Sequence, residues 1–235
     1  MRVAAAQMKV EDDILANLKK MRGFIRSAEK VDILCFPETC LNSEEERIVD
    51  VSEEIKELQA EVRDKKLWCI FGTYIPFEDK LKNRIYVLDR DGEIVYTYDK
   101  IHLWQTEKGK VIPGDSNQVI ETEFGKIAVI NCWDYAFPEY VKKLSGKGAR
   151  LIFCPSYLVD YHKAEVLRKL PLVRAFENLA FYISCDAFSE DSFSESYICH
   201  PMKTLAEIRK REGMIYADIE LSEIDNLRKF YDHVR

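Results

Sequence analysis

A chain of 235 residues, 47% of them hydrophobic, is long enough to bury a substantial core in one large domain or two small ones. Its 35 basic and 41 acidic side chains leave a net charge of −6, which offers no basic surface for nucleic acid. No apolar run approaches a membrane span, and the N-terminus MRVAAAQMKVEDD lacks the pattern of a signal peptide.

Strand-like and helix-like segments alternate along most of the chain, with no repeat or low-complexity tract, so the fold class is α/β. Arg2 to Met8 reads as a first strand. Ile14, Leu18, Met21, Ile25 and Ala28 recur at helical spacing. Val31 to Phe36 is a nearly continuous apolar run, as in a strand covered on both faces. Ser43 and Glu46 fit a capping box at the start of a helix carrying Ile48, Val51, Ile55, Leu58 and Val62. Trp68 to Ile75, Arg84 to Asp89 and Glu93 to Tyr98 read as strands, with a hairpin turn at Asp91-Gly92. Gln118 to Phe124 and Lys126 to Cys132 form a second hairpin around Gly125. A helix starts at Pro138, a favoured first helical residue. Arg150 to Cys154 is a strand. His162 to Ala180 is helical, with Pro171 expected to break or kink it. Phe181 to Phe188, Ser196 to His200 and Met214 to Ile219 are further strands. Ser222 is placed to cap a last helix with Ile224, Leu227 and Phe230. Residues 1–235 are expected to form a single domain.

Three reactive side chains lie just past strand-like runs, where α/β sheets gather their ligands. Cys132 follows Ile127-Ala128-Val129-Ile130 and precedes a turn into a helix, whose N-terminus favours the thiolate. Glu38 follows Pro37 at the end of an apolar strand, where partial burial would raise its basicity. Lys100 ends another strand, and its ammonium could hold an oxyanion. Taken singly, each has a plain structural reading: a core cysteine, a loop carboxylate, a solvated lysine. Cys35, Cys154 and Cys185 read as core. The seven cysteines are odd in number, scattered and free of C-x-x-C pairs, so they are expected to be reduced thiols of a cytoplasmic protein. Four histidines without ligand spacing give no metal site, and no cofactor is expected.

The three contexts together resemble the nitrilase superfamily of thiol carbon–nitrogen hydrolases. Phe36-Pro37-Glu38 resembles its glutamate motif, Tyr98-Asp99-Lys100-Ile101-His102-Leu103 its lysine motif, and Asn131-Cys132-Trp133-Asp134 with Phe137-Pro138-Glu139 its cysteine motif. Glu107 with Pro113-Gly114 resembles the segment of a second glutamate. Pro155-Ser156, Arg174-Ala175-Phe176-Glu177-Asn178 and Glu212 to Ile219 follow in family order. Two departures stand out: Ala136, where many members carry a larger and often basic residue, and the glycine-poor stretch Ser194 to Lys203.

The resemblance implies a four-layer α-β-β-α sandwich that pairs into a homodimer or larger assembly, through the helix after Cys132 and the region His162 to Ala180. It implies catalysis by Glu38, Lys100 and Cys132 without metal or cofactor, supported by Glu107 and by the backbone N–H of Trp133. The expected reaction is hydrolysis of a small amide, an ω-amide or carbamoyl amine, through a cysteine thioester with release of ammonia. Nitrile hydrolysis, acyl transfer, a non-catalytic scaffold and a redox-sensing thiol are the rival readings. Residues 133–140 and 156–174 are expected to line the pocket, with Lys163 or Arg168 as candidate holders of a substrate carboxylate. The only partner expected is a small-molecule amide, with no nucleic acid and no membrane.

Overall fold

The structure is a computed structural model that describes residues 1–159, 164–190 and 192–231. Two six-stranded sheets face each other. The first contains β1 (Arg2–Gln7), β2 (Ile33–Cys35), β3 (Trp68–Phe77), β4 (Lys80–Leu88) and β5 (Ile94–Asp99), together with β12 (Gly213–Asp218), in the order β12-β1-β2-β3-β4-β5. The second contains β6 (Ile120–Thr122), β7 (Gly125–Val129), β8 (Leu151–Ser156), β9 (Phe181–Asp186), β10 (Glu195–His200) and β11 (Lys203–Arg209), in the order β11-β10-β9-β8-β7-β6. Each sheet has three parallel strands at its centre, β1-β2-β3 and β7-β8-β9, with antiparallel strands outside them.

Side-chain alternation along the strands builds the layers. Val3, Ala5, Ile33, Cys35, Ile127, Val129, Phe153 and Ile183 fill the space between the sheets. Ala4, Ala6, Leu34 and Phe71 face outward onto Leu18, Met21 and Ile25 of α1 (Ile14–Ser27) and Ile55, Leu58 and Val62 of α2 (Ser52–Lys65). On the far side, Ala128, Ile130, Ile152 and Tyr182 meet α3 (Pro138–Gly146) and α4 (Ala164–Asn178). The result is the four-layer α-β-β-α sandwich. A fifth helix, α5 (Leu221–Phe230), closes one end of the inter-sheet core with Leu221 and Ile224.

Several local expectations are corrected. The helix expected from Ser43 starts at Ser52. In its place Asn42 Oδ1 accepts the Glu44 N–H (3.0 Å) and Glu44 Oε1 accepts the Glu46 N–H (2.8 Å). Such local side-chain bonds compete with helix formation. Pro171 does not end α4, which runs on to Asn178. Proline costs one backbone hydrogen bond there, while Leu167 and Ala175 on either side of it are buried in the core. Ser222 is not the N-cap; Glu220 holds that position and accepts the Ser222 hydroxyl (2.5 Å). β4 begins at Lys80 rather than Arg84, and β11 was not anticipated at all. β11 is a largely exposed edge strand with polar residues on both faces, so it carries no two-residue alternation to detect. His162 and Lys163 lie outside the described residues. In the glycine-poor stretch, Ser194 takes a left-handed φ of 51°. Its hydroxyl donates to the Ser189 carbonyl (2.7 Å) and accepts the Ser189 N–H (2.9 Å).

Candidate active site

Glu38 lies in the loop after β2. The Phe36 N–H reaches the Ile70 carbonyl (2.7 Å), and the Gly72 N–H reaches that of Pro37 (3.2 Å). A Cβ on Gly72 would sit 2.7 Å from the Thr39 nitrogen and 2.9 Å from Glu38 Cα. Only glycine lets β3 pass so close to the glutamate loop.

Lys100 directly follows β5. Its N–H donates to the Asn83 carbonyl and its own carbonyl accepts the Gly114 N–H, both at 2.9 Å. A Cβ on Gly114 would lie 2.1 Å from the Asp99 carbonyl oxygen, so this segment too needs glycine to lie against the lysine strand.

Cys132 opens a short 3-10 turn, Cys132–Ala136, beyond β7. Its φ of 44° is left-handed, a conformation that costs a non-glycine residue about 1–3 kcal/mol unless its surroundings impose it. Asp134, fully buried, does so. Its Oδ2 accepts the Tyr98 hydroxyl (2.6 Å) and the Asn131 N–H (2.9 Å). Its Oδ1 accepts the His102 N–H (3.0 Å) and lies 2.7 Å from His102 Nδ1. Tyr98 and His102 flank Lys100, and Asn131 precedes Cys132. One carboxylate therefore ties the lysine loop to the cysteine turn.

Glu38, Lys100, Glu107 and Cys132, distant in sequence, line one cavity of about 320 Å³. Lys100 Nζ donates to Glu38 Oε1 (2.7 Å) and Glu107 Oε2 (2.8 Å). The amide of Asn83 donates to both carboxylates, to Glu38 at 2.8 Å and Glu107 at 2.6 Å. Asn131 Nδ2 donates to Asn83 Oδ1 (2.8 Å). Glu107 also accepts the Trp104 N–H (2.7 Å) and the Tyr74 hydroxyl (3.2 Å). The free oxygen of Glu38 accepts the Tyr157 N–H (3.1 Å). Trp133 lines the cavity, and its ring meets Trp104 edge-on at 4.7 Å.

Burial opposes the charge on Lys100, but Glu38, Cys132 and Glu107 outweigh it and hold the ammonium above its ordinary pKa. The Cys132 thiol is pushed well up, first by burial and then by the negative charge of Glu38; Lys100 and the Tyr157 N–H pull the other way. Burial and Glu38 thus work against the thiolate that the helix N-terminus was expected to favour.

The pocket segments read from the sequence contribute Trp133, Tyr135, Tyr157, Leu158, Val159 and Leu167. Arg168 does not join them: it donates to the buried Glu195 (2.6 Å) on β10. Thr39, Ser43, Glu45, Tyr74, Trp104 and Thr106 complete the wall from the first sheet and were not foreseen. Asn83 was missed although a signal existed. It shares a strand face with Ile85 and Val87, which point into the core, so a polar residue there announces a buried network. Asp134 and His102 were quoted only as parts of motifs. Among the described residues, no group of three or more His, Cys, Asp or Glu could hold a metal ion.

A family model described as carbon-nitrogen hydrolase matches residues 2–229. The chain belongs to the carbon–nitrogen hydrolase family. A 2-oxoglutaramate amidase of Bacillus subtilis is 27% identical over 93% of this chain and 91% of its own. The omega-amidase NIT3 of Saccharomyces cerevisiae is 25% identical over 92% of this chain and 86% of its own. The crystal structure of Saccharomyces cerevisiae Nit3, a member of branch 10 of the nitrilase superfamily, shares the fold. Its TM-score is 0.88 at 24% identity, covering 98% of this chain and 93% of that one. A carbon-nitrogen hydrolase from Helicobacter pylori G27 superposes with a TM-score of 0.91 at 17% identity, covering 100% and 94%. Membership of that family makes the chain a hydrolase of carbon–nitrogen bonds.

Proposed function

We propose that Cys132 is the nucleophile, Glu38 the general base and acid, and Lys100 an oxyanion holder, acting on a small linear amide of the ω-amide or carbamoyl-amine kind. The supporting observation is a buried thiol in the same cavity as the Glu38–Lys100 pair, which is 2.7 Å apart. Glu38 takes the thiol proton as sulfur attacks the amide carbon. The carbonyl π electrons move to oxygen, which Lys100 and the N–H of Trp133 stabilise. Trp133 lies in the first turn of the 3-10 segment, where N–H groups lack partners within the turn. Glu38 returns the proton to nitrogen, the C–N bond breaks and ammonia leaves. Water, deprotonated by Glu38, then attacks the thioester carbon; the C–S bond breaks and the thiol regains its proton. Glu107, bound to Lys100 and Asn83, orients the ammonium.

The same reading takes residues 1–235 as one catalytic domain that works as a homodimer or larger assembly. A cytoplasmic location is supported by seven cysteines, all free thiols and all buried. No helix among the described residues is long and apolar enough to cross a membrane.

The test is ammonia release from a panel of amides by the wild type and by Cys132→Ala. The variant is expected to unfold at the wild-type temperature within a few degrees and to release no ammonia above background. Turnover retained by Cys132→Ala would remove Cys132 as the nucleophile.

A further inference from the structure

Asn83 stands at the centre of the polar network behind Cys132, and each of its hydrogen bonds has a fixed direction. It is 1% exposed, on the face of β4 that also carries Ile85. Its amide has two hydrogens to give and one oxygen to receive. Nδ2 donates to Glu38 Oε1 (2.8 Å) and to Glu107 Oε1 (2.6 Å). Oδ1 accepts from Asn131 Nδ2 (2.8 Å). Turning the amide over would set its oxygen against two carboxylates and its hydrogens against a donor. The Asn83 backbone carbonyl accepts the Lys100 N–H (2.9 Å). One residue thus meets both glutamates, the lysine backbone and the residue before Cys132.

The two oxygens of Glu38 are held differently. Oε1 accepts both Lys100 Nζ (2.7 Å) and Asn83 Nδ2. Oε2 accepts the Tyr157 N–H (3.1 Å), a group that also acts on the Cys132 thiol. Oε2 and the sulfur therefore lie on the same side of the carboxylate. Glu107 accepts four donors: Asn83, Tyr74, Lys100 and Trp104.

We propose, resting on the reading of Glu38 as the base, that Asn83 is a positioning residue: it holds Glu38 Oε1 so that Oε2 stays turned to the Cys132 thiol for proton transfer. Lys100 alone does not fix that orientation. Its ammonium is a compact charge on a flexible four-carbon stem, and its hydrogens follow a carboxylate that rotates. The planar Asn83 amide, locked by Asn131, offers Oε1 one direction only. Asn131 directly precedes Cys132, so the same bond ties the aim of the base to the turn that carries the nucleophile. Donors are required at this position, not shape alone. An aspartate would match the outline of Asn83 but would set a third carboxylate against Glu38 and Glu107.

The experiment reads ammonia release from glutaramate, a small ω-amide, and from pentanamide, with kcat and KM separated. The variants are Asn83→Ala, Asn83→Asp, Asn131→Ala, the double variant Asn83→Ala, Asn131→Ala, and Glu38→Gln, each measured well below its unfolding temperature. Asn83→Ala is expected to lose about 100-fold in kcat with KM within about threefold of the wild type, because a misaimed base is felt in the transition state. Asn83→Asp should lose more than Asn83→Ala. A packing role gives the reverse order, since aspartate fills the site and alanine leaves a cavity. Asn131→Ala should lose about tenfold in kcat alone and nothing further when added to Asn83→Ala, because it acts through that amide. Wild-type kcat in Asn83→Ala, an aspartate variant better than the alanine one, or additive losses for the two asparagines would each overturn the proposal. If Asn83→Asp does not fold, the cycle between Asn83 and Asn131 decides by itself. Glu38→Gln separates the two levels of the argument. A silent Glu38→Gln beside a fully active Asn83→Ala removes only the role of Asn83, whereas turnover retained by Glu38→Gln removes the base and this proposal with it.

Discussion

At the scale of single residues, Glu38 does two opposing things to Cys132. In the proposed reaction its carboxylate accepts the thiol proton during attack, yet its charge raises the thiol pKa, adding to the effect of burial. A thiol pKa raised above the usual value leaves little thiolate at neutral pH, and the thiolate grows only as pH climbs past that of an ordinary cysteine. Removing the charge in Glu38→Gln lowers the Cys132 pKa, because Lys100 then opposes burial without competition from Glu38. The variant is therefore expected to lose about 10³-fold or more in kcat. Its alkylation by iodoacetamide at pH 8 should nevertheless become faster than the wild type's. Peptide mass spectrometry of labelled Cys132 measures this; the other six cysteines are at most 1% exposed and serve as internal controls. Slower alkylation in Glu38→Gln would show that the carboxylate activates the resting thiol instead of holding it protonated.

At the scale of elements, close backbone approach matters as much as side-chain identity. β3 and the glutamate loop meet at Gly72, and an alanine there brings its Cβ within 2.7 Å of the Thr39 nitrogen. Backbone must move, and Glu38 moves with it. Gly72→Ala is expected to cost about 100-fold in kcat, the penalty typical of a displacement near 1 Å, with about 1–3 kcal/mol of stability from overpacking. Steady-state kinetics well below the unfolding temperature, beside a denaturant titration, separates the two; unchanged kcat would show that the loop relaxes without shifting the carboxylate. The sequence made the strands of this site legible, because Val31 to Phe36 and Ile127 to Ile130 are apolar runs covered on both faces. It did not disclose Gly72 or Asn83, whose roles depend on what crosses them in space. Ser43 to Glu46 misled for a related reason: the pattern of a helix start was present, but the segment makes its own turns and lends Ser43 and Glu45 to the cavity wall. Pro171, expected to break or kink the helix, does not break it, since buried neighbours carry α4 on across it.

At the scale of the whole molecule, α4 presents two faces with different fates. Leu167 and Ala175 point inward, to the cavity wall and the core. Val166, Val173 and Phe176 lie on the opposite side and are exposed by 57%, 45% and 45%. Their spacing of seven and three places them on one stripe. Phe176 continues the patch to Tyr231, with ring centroids 6.4 Å apart, and Tyr231 continues it to Phe230 at 4.9 Å. Exposed apolar side chains such as Val166 and Val173 on a charged surface are where the proposed assembly would pair, and a two-fold pairing of the same helix on two chains would cover them. Such pairing would also brace the helix that carries Leu167, so assembly and turnover should fall together. The double variant Val173→Asp, Phe176→Asp is expected to sediment as one chain where the wild type sediments as two or more, with kcat reduced several-fold and the fold retained by circular dichroism. A wild type that sediments as a single chain at micromolar concentration would overturn the proposed assembly. A monomeric variant with full activity would show instead that the wall at Leu167 needs no support from a second subunit.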